Sequence, residues 1–153
     1  MDIKEKIKLL IEKDIAILGY SIWGIEVSGN SISKLIRLFI DKNKGKIDLL
    51  DCEKVSNQVV DLFDNSDLFD FKYRLEVSSP GIERSFFKFN QHKDFIGDLI
   101  EIKFKKENTN KTIRGELTKF EAESLEVKLE NNNFEKIDLS SYMSSKLINK
   151  ELI

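Results

Sequence analysis

The side chains able to do acid–base or nucleophilic chemistry are few: one histidine, His92, one cysteine, Cys52, and a set of carboxylates of which Asp48 and Asp51 precede an apolar run. A nucleophile needs a base within hydrogen-bond reach, and His92 lies in the polar stretch Gln91-His92-Lys93-Asp94, which reads as solvated surface. Cys52 falls on the apolar stripe of a predicted helix, where a thiol behaves as a small core side chain. Asp48 and Asp51 have the spacing of a helix N-cap and its third residue, so capping accounts for them without catalysis. Glycine-rich phosphate loops, Gly-x-Ser-x-Gly elbows, histidine pairs and Cys-x-x-Cys motifs are missing. One histidine and one cysteine cannot complete an ordinary zinc site, and a lone cysteine closes no internal disulfide. The expectation is a chain that is not an enzyme and needs neither metal nor cofactor.

Cations are the other chemical resource. Lys42, Lys44 and Lys46 crowd one loop, and Lys103, Lys105, Lys106, Lys111 and Arg114 frame a predicted hairpin. Acidic neighbours such as Glu101 and Glu107 dilute the second field. The net charge is -2, with pI near 5.6, which argues against affinity resting on broad phosphate neutralisation. Up to Arg84 there are 13 Lys and Arg against 15 Asp and Glu; beyond it there are 12 of each. Any RNA contact is therefore local.

These residues are positioned by a simple succession of elements. Asp2 caps a helix, with Glu5 at the capping-box position and Ile3, Ile7, Leu10, Ile11 and Leu18 near one stripe; Gly19 stops it. From Tyr20 to Val27 the period becomes two, with Trp23, Ile25 and Val27 on one face, and Ser28, Gly29 and Asn30 supply a turn. Lys34 to Asp41 places Ile36, Leu38 and Ile40 on one face, completing a hairpin. After the lysine loop and Gly45 a second helix begins at the Asp48 cap, with Cys52, Val55, Val59 and Phe63 inward and Asp61, Asp64, Asp67 and Asp70 at its exit. A third strand alternates Tyr73, Leu75 and Val77 with Arg74 and Glu76. The only proline, Pro80, then stands in Ser78-Ser79-Pro80-Gly81, a reversal that marks a domain joint. Beyond it come an apolar segment around Phe86, Phe87, Phe89 and Phe95 and four strand-like runs starting at Leu99, Thr112, Leu125 and Phe134, with Asn131 to Asn133 as a hairpin tip. Closely spaced short strands suggest a small β-barrel, which hides its edges by closing. The longest apolar run falls well short of the ~18 residues of a membrane span, so a cytoplasmic, membrane-free, monomeric protein is expected.

Two blocks carry a resemblance. The run Leu75 to Gly81, followed by Arg84, is similar to the hallmark of the RimP ribosome maturation family, a strand ending in Leu-Glu-Val-Ser-Ser-Pro-Gly with an arginine shortly after. The stretch Leu35 to Asp64 resembles the same family's strand, glycine turn and Asp-Cys-Glu helix. One departure is Ser85, where the family commonly has a second proline; a serine does not fix φ, so the joint is less constrained.

The resemblance implies an α+β chain: an N-terminal KH-like α-β-β-α-β domain over 1–84, followed by a small Sm-like or SH3-like β-barrel over 85–153. It further implies binding to the immature small ribosomal subunit, help with late folding of its rRNA, and contact with the small-subunit ribosomal protein near the decoding centre. On that basis Lys44, Lys46, Arg74 and Arg84 are the candidate rRNA or partner contacts, and Ser78, Ser79, Pro80 and Gly81 set the interdomain joint. A general RNA-binding regulator using the barrel as its platform is the alternative; it needs displayed aromatics or cations and strong salt dependence.

Overall fold

Asp2 opens the first helix, α1 (Ile3–Ile17), by accepting the Glu5 amide hydrogen at 2.9 Å. The structure, a computed structural model, describes residues 1–81 and 83–148. Ile7, Ile11 and Ile15 are buried at four-residue spacing, whereas Leu18, expected on that stripe, is exposed because α1 ends one residue before it. Gly19 follows at φ 98°, a conformation that suits glycine and turns the chain into β1 (Tyr20–Gly29).

β1 pairs antiparallel with β2 (Ser33–Lys42), from Tyr20 opposite Lys42 to Gly29 opposite Lys34. The register shifts between Ile22 and Gly24. That bulge changes the face assignment: Tyr20 and Ile22 join Ile25 and Val27 in the core, and Trp23, expected beside Ile25, stays outside it. Ile36, Leu38 and Ile40 are buried as their alternation requires. β3 (Lys72–Ser78) runs parallel to β2, from Ser33 opposite Lys72 to Phe39 opposite Ser78. Parallel neighbours need a crossover, which α2 (Leu49–Asp64) supplies. Val55, Val59 and Phe63 face the sheet, but Cys52 is only half-buried; the same four-residue spacing extended backwards reaches Asp51 instead. The three-stranded sheet, ordered β1-β2-β3, thus completes an α-β-β-α-β unit.

Backbone contacts divide the chain into Met1–Pro80 and Gly81–Ile153, whereas the sequence reading placed the division after Arg84. The second unit begins with an edge segment: Leu147 N donates to Arg84 O at 2.9 Å, Ser85 bridges Lys146, and Phe86 N donates to Ser145 O at 3.0 Å. A 3-10 turn (Phe89–Phe95) leads to β4 (Leu99–Lys106), β5 (Thr109–Glu121), β6 (Ser124–Leu129), β7 (Phe134–Asp138) and β8 (Tyr142–Leu147). All pairings are antiparallel in the order β7-β6-β5-β4-β8.

This sheet is not closed, so the expected barrel is not confirmed. β7 and β8 are its two ends and do not pair with each other, and the edge of β8 is taken by the Arg84–Phe86 stretch instead. β8 itself was not distinguished in the sequence reading, since Tyr142 to Leu147 is polar and carries no clear alternation. The tip between β6 and β7 is as expected, with Asn132 at φ 67° and Asn133 N donating to Asn131 Oδ1 at 2.9 Å. Gly115 has a steric cause: a Cβ there would collide with the Lys128 carbonyl of β6.

Candidate functional site

The lysine loop after β2 is built on a buried acid. Asp51 accepts hydrogen bonds from Tyr20 Oη at 2.5 Å, Lys42 Nζ at 2.8 Å and the Asp48 amide at 2.9 Å, while Asp48 caps α2 by accepting the Asp51 amide hydrogen. The expected capping box is present, and the same carboxylate also ties the start of α2 to the first residue of β1 and the last of β2. The Lys42 ammonium and the Tyr20 hydroxyl hold the Asp51 carboxyl well below the usual carboxylate range. In return the hydrogen bond to Asp51 pushes Tyr20 up to about 12 and raises Lys42. Lys42 is thereby committed to structure. Lys44 and Lys46 are exposed, carry no ion pair among the described residues, and remain available for contact.

Arg74 is 78% exposed, with Glu76 Oε1 at 3.7 Å. Glu76 has a closer partner in Arg37 at 2.8 Å, so Arg74 keeps most of its charge outward. Arg74 stands opposite Leu35 near the start of β2, whereas the lysine loop leaves the end of β2 after Lys42. At ~3.3 Å per residue the two are about 20 Å apart along the strand, so they are separate features. Arg84 belongs to the second unit, where its guanidinium carbon lies 5.7 Å from the centre of the Phe95 ring. Within the first unit, Lys44 and Lys46 therefore do not converge with Arg74 on one pocket. In the joint, Ser78 Oγ donates to Ser79 O at 2.8 Å, Pro80 is half-buried, and Gly81 has φ 83°.

The second cationic cluster divides in the same way. Lys106 is bound to Glu135 at 2.9 Å and Arg114 to Glu101 at 2.8 Å, whereas Lys103, Lys105 and Lys111 extend from the β4–β5 hairpin into solvent.

His92 overturns its sequence reading. Far from being solvated, it is 0% exposed, its ring stacked on Phe86 with centroids 4.1 Å apart and Tyr142 meeting it edge-on. Nδ1 lies 2.6 Å from Phe89 O and Nε2 2.6 Å from Ser145 Oγ. A carbonyl oxygen only accepts, so Nδ1 carries the proton, and in the neutral ring Nε2 accepts from the Ser145 hydroxyl. Ser145 Oγ then accepts from Tyr142 Oη at 2.7 Å. Burial holds the His92 pKa below its ordinary value and raises that of Tyr142. A serine 2.6 Å from a histidine has the form of a nucleophile and base, but Ser145 is only 6% exposed and its oxygen is held between two partners. The arrangement cross-links the 3-10 turn to β8. The signal that could have revealed it is the surrounding aromatic set, Phe86, Phe89 and Phe95, which needs a common centre.

Among the described residues there is no group of three or more His, Cys, Asp or Glu placed to hold a metal ion, and no helix long and apolar enough to cross a membrane.

Residues 10–83 match the family model of the RimP N-terminal domain. The matched stretch takes in most of α1, the β1–β2 hairpin, the lysine loop, α2, β3 and the Ser78–Gly81 turn, which are the parts that carry the two sequence blocks. This match supports the resemblance to the RimP family of ribosome maturation factors that the two sequence blocks carry.

Proposed function

We propose that the protein assists assembly of the small (30S) ribosomal subunit by binding its immature particle, without catalysing a covalent step. The observation that carries this reading is the RimP N-terminal match, which embraces both the lysine loop and the Ser78–Gly81 joint. Exposed cations on each unit, Lys44 and Lys46 on one and Lys103, Lys105 and Lys111 on the other, support contact with rRNA or with a ribosomal protein at more than one place. Linking two weak contacts raises the effective concentration of the second once the first has formed. Binding energy then biases the folding of the particle toward the state that makes both contacts.

The test is co-sedimentation of the purified protein with immature small subunits, mature small subunits and complete ribosomes at two salt concentrations. Preferential retention on the immature small subunit is expected. Equal binding to every particle and to naked RNA, collapsing as salt rises, would identify a general RNA binder instead.

A further inference from the structure

Ile100, Ile102 and Phe104 turn one face of β4 into the core of the second unit, so Glu101, Lys103 and Lys105 project from the other. The register carries this outer face across three strands. Arg114 and Thr112 of β5 stand opposite Glu101 and Lys103, and Lys146 and Ser144 of β8 stand opposite the same two residues from the other side. A groove of about 250 Å³ crosses the face, and its lining includes Ser85, Phe86, Glu101, Lys103, Ser144 and Lys146. We propose that this face holds the phosphate backbone of an RNA strand, with Lys146, Lys103 and Lys105 each meeting one phosphate. The inference deepens the assembly reading and rests on it for the identity of the RNA.

Spacing, charge and the chemistry of the neighbours select that ligand. Lys103 and Lys105 are alternate residues of one strand, about 7 Å apart. Lys146 is the diagonal neighbour of Lys103 across the β4–β8 pair, about 7 to 8 Å away. Three cations in file at that interval match consecutive phosphates of one nucleic-acid strand, which lie a comparable distance apart. Glu101, the carboxylate in the groove, accepts from Arg114 Nε at 2.8 Å and is neutralised there, while Glu116 stands opposite Leu99, at the end of the face away from Lys105. Among the described residues Lys103, Lys105 and Lys146 have no ion pair, so their charge is available to a ligand. Ser144, Thr112 and Asn110, the residues opposite Lys103 and Lys105, add donors that suit phosphate oxygens. The apolar member of the lining, Phe86, is only 7% exposed, so the groove offers neither a ring on which a base could stack nor an anchor pocket for a protein side chain. Binding is therefore to the backbone and indifferent to base sequence. Lys111, opposite Phe104, lies on the other face of the hairpin and takes no part.

The experiment is a fluorescence anisotropy titration of the full chain with a labelled uridine dodecamer, repeated with an adenosine dodecamer and mapped by amide NMR. Affinity is expected to fall about 20-fold between about 50 and about 200 mM salt, the dependence of three phosphates on a single strand. Amide shifts should centre on Glu101 to Lys105 and Ser144 to Lys146. The Lys103→Gln, Lys105→Gln, Lys146→Gln variant should bind at least about tenfold more weakly at the lower salt and with a flattened salt dependence. If the third substitution disturbs β8, the Lys103→Gln, Lys105→Gln pair, both exposed, reads the same loss with about one third of the slope remaining. Lys4→Gln, Lys6→Gln and Lys13→Gln together remove equal charge from exposed positions of α1 and should leave binding unchanged. Equal loss in that α1 variant, shifts confined to other elements, or a preference between the two dodecamers beyond about tenfold would overturn the proposal. So would hexaglutamate occupying the same amides more tightly than RNA, which would mark the face as a protein contact. The assembly reading is judged apart, by retention of the parent chain on immature subunits: retention without oligonucleotide binding at this face removes this proposal alone, and the converse removes the assembly reading alone.

Discussion

Acidification should weaken the second unit through one residue, and the size of the effect follows from where that residue lies. His92 is the only histidine in the chain and is fully buried among Phe86, Phe89 and Tyr142. In the unfolded chain its ring titrates near ~6.5. In the folded chain burial keeps its pKa below that value. Between the two the unfolded state binds more protons, so the stabilisation is fully present above pH ~6.5 and is lost as pH falls toward the folded value. One proton gives a limiting slope of about 1.4 kcal/mol per pH unit, a tenfold change in the folding equilibrium. Protonation need not break the hydrogen-bond chain, because Nε2 could then donate to Ser145 Oγ while Ser145 donates to Tyr142; the cost is desolvation of the imidazolium. Urea unfolding followed by the amide signals of β4 to β8 between pH 7.5 and 5.5 measures the slope, in a window above the ordinary carboxylate range of ~3.9 to 4.3. In a His92→Phe variant the stacking on Phe86 survives, the slope disappears, and stability at neutral pH drops by about 2 kcal/mol because Phe89 O loses its donor. An equal slope in the two proteins, or a ring signal of folded His92 that titrates at ~6.5, would refute the reasoning.

Three further outcomes are expected. Asp51→Asn should lower the melting temperature of the first unit and return the Tyr20 phenol from about 12 toward its ordinary value of 10, read by ultraviolet titration. Gly115→Ala should lower the stability of the second unit by about 2 kcal/mol in urea, since β6 backbone has to move away from the new methyl group. Lys44→Glu combined with Lys46→Glu should leave stability within about 0.5 kcal/mol of the parent while weakening retention on immature small subunits; unchanged retention would remove the lysine loop from the proposed contacts.

What could be read from the sequence was whatever local periodicity determines. Ile36, Leu38 and Ile40 alternate over a single strand, and Val55, Val59 and Phe63 repeat over a single helix, so both inward faces were legible before any coordinates. Trp23 lies on the other face because one bulge reverses the alternation, and Gly24, a glycine inside the strand pattern at that bulge, is its local sign. That the second sheet does not close was not legible for a topological reason. Whether β7 meets β8 depends on what else occupies the β8 edge, and that occupant, Ser85, lies 61 positions before its partner Lys146.

Two polar residues show the same limit from the side of chemistry. Asp51 looked complete as a capping residue, because its local partner Asp48 is three positions away; its other oxygen contacts include Tyr20, 31 positions away. His92 looked solvated because Gln91, Lys93 and Asp94 surround it in sequence, yet its decisive partner Ser145 is 53 positions away. A buried polar group is tolerated only where distant chain delivers the matching donor or acceptor, so its burial is a property of the fold and not of its neighbourhood in sequence. The candidate contact cations differ in this respect: Lys44 and Lys46 need only a loop that leaves them exposed, and loop composition is local information. That difference explains why candidate contacts could be named from the sequence, whereas the buried polar residues that tie each unit together from within could not.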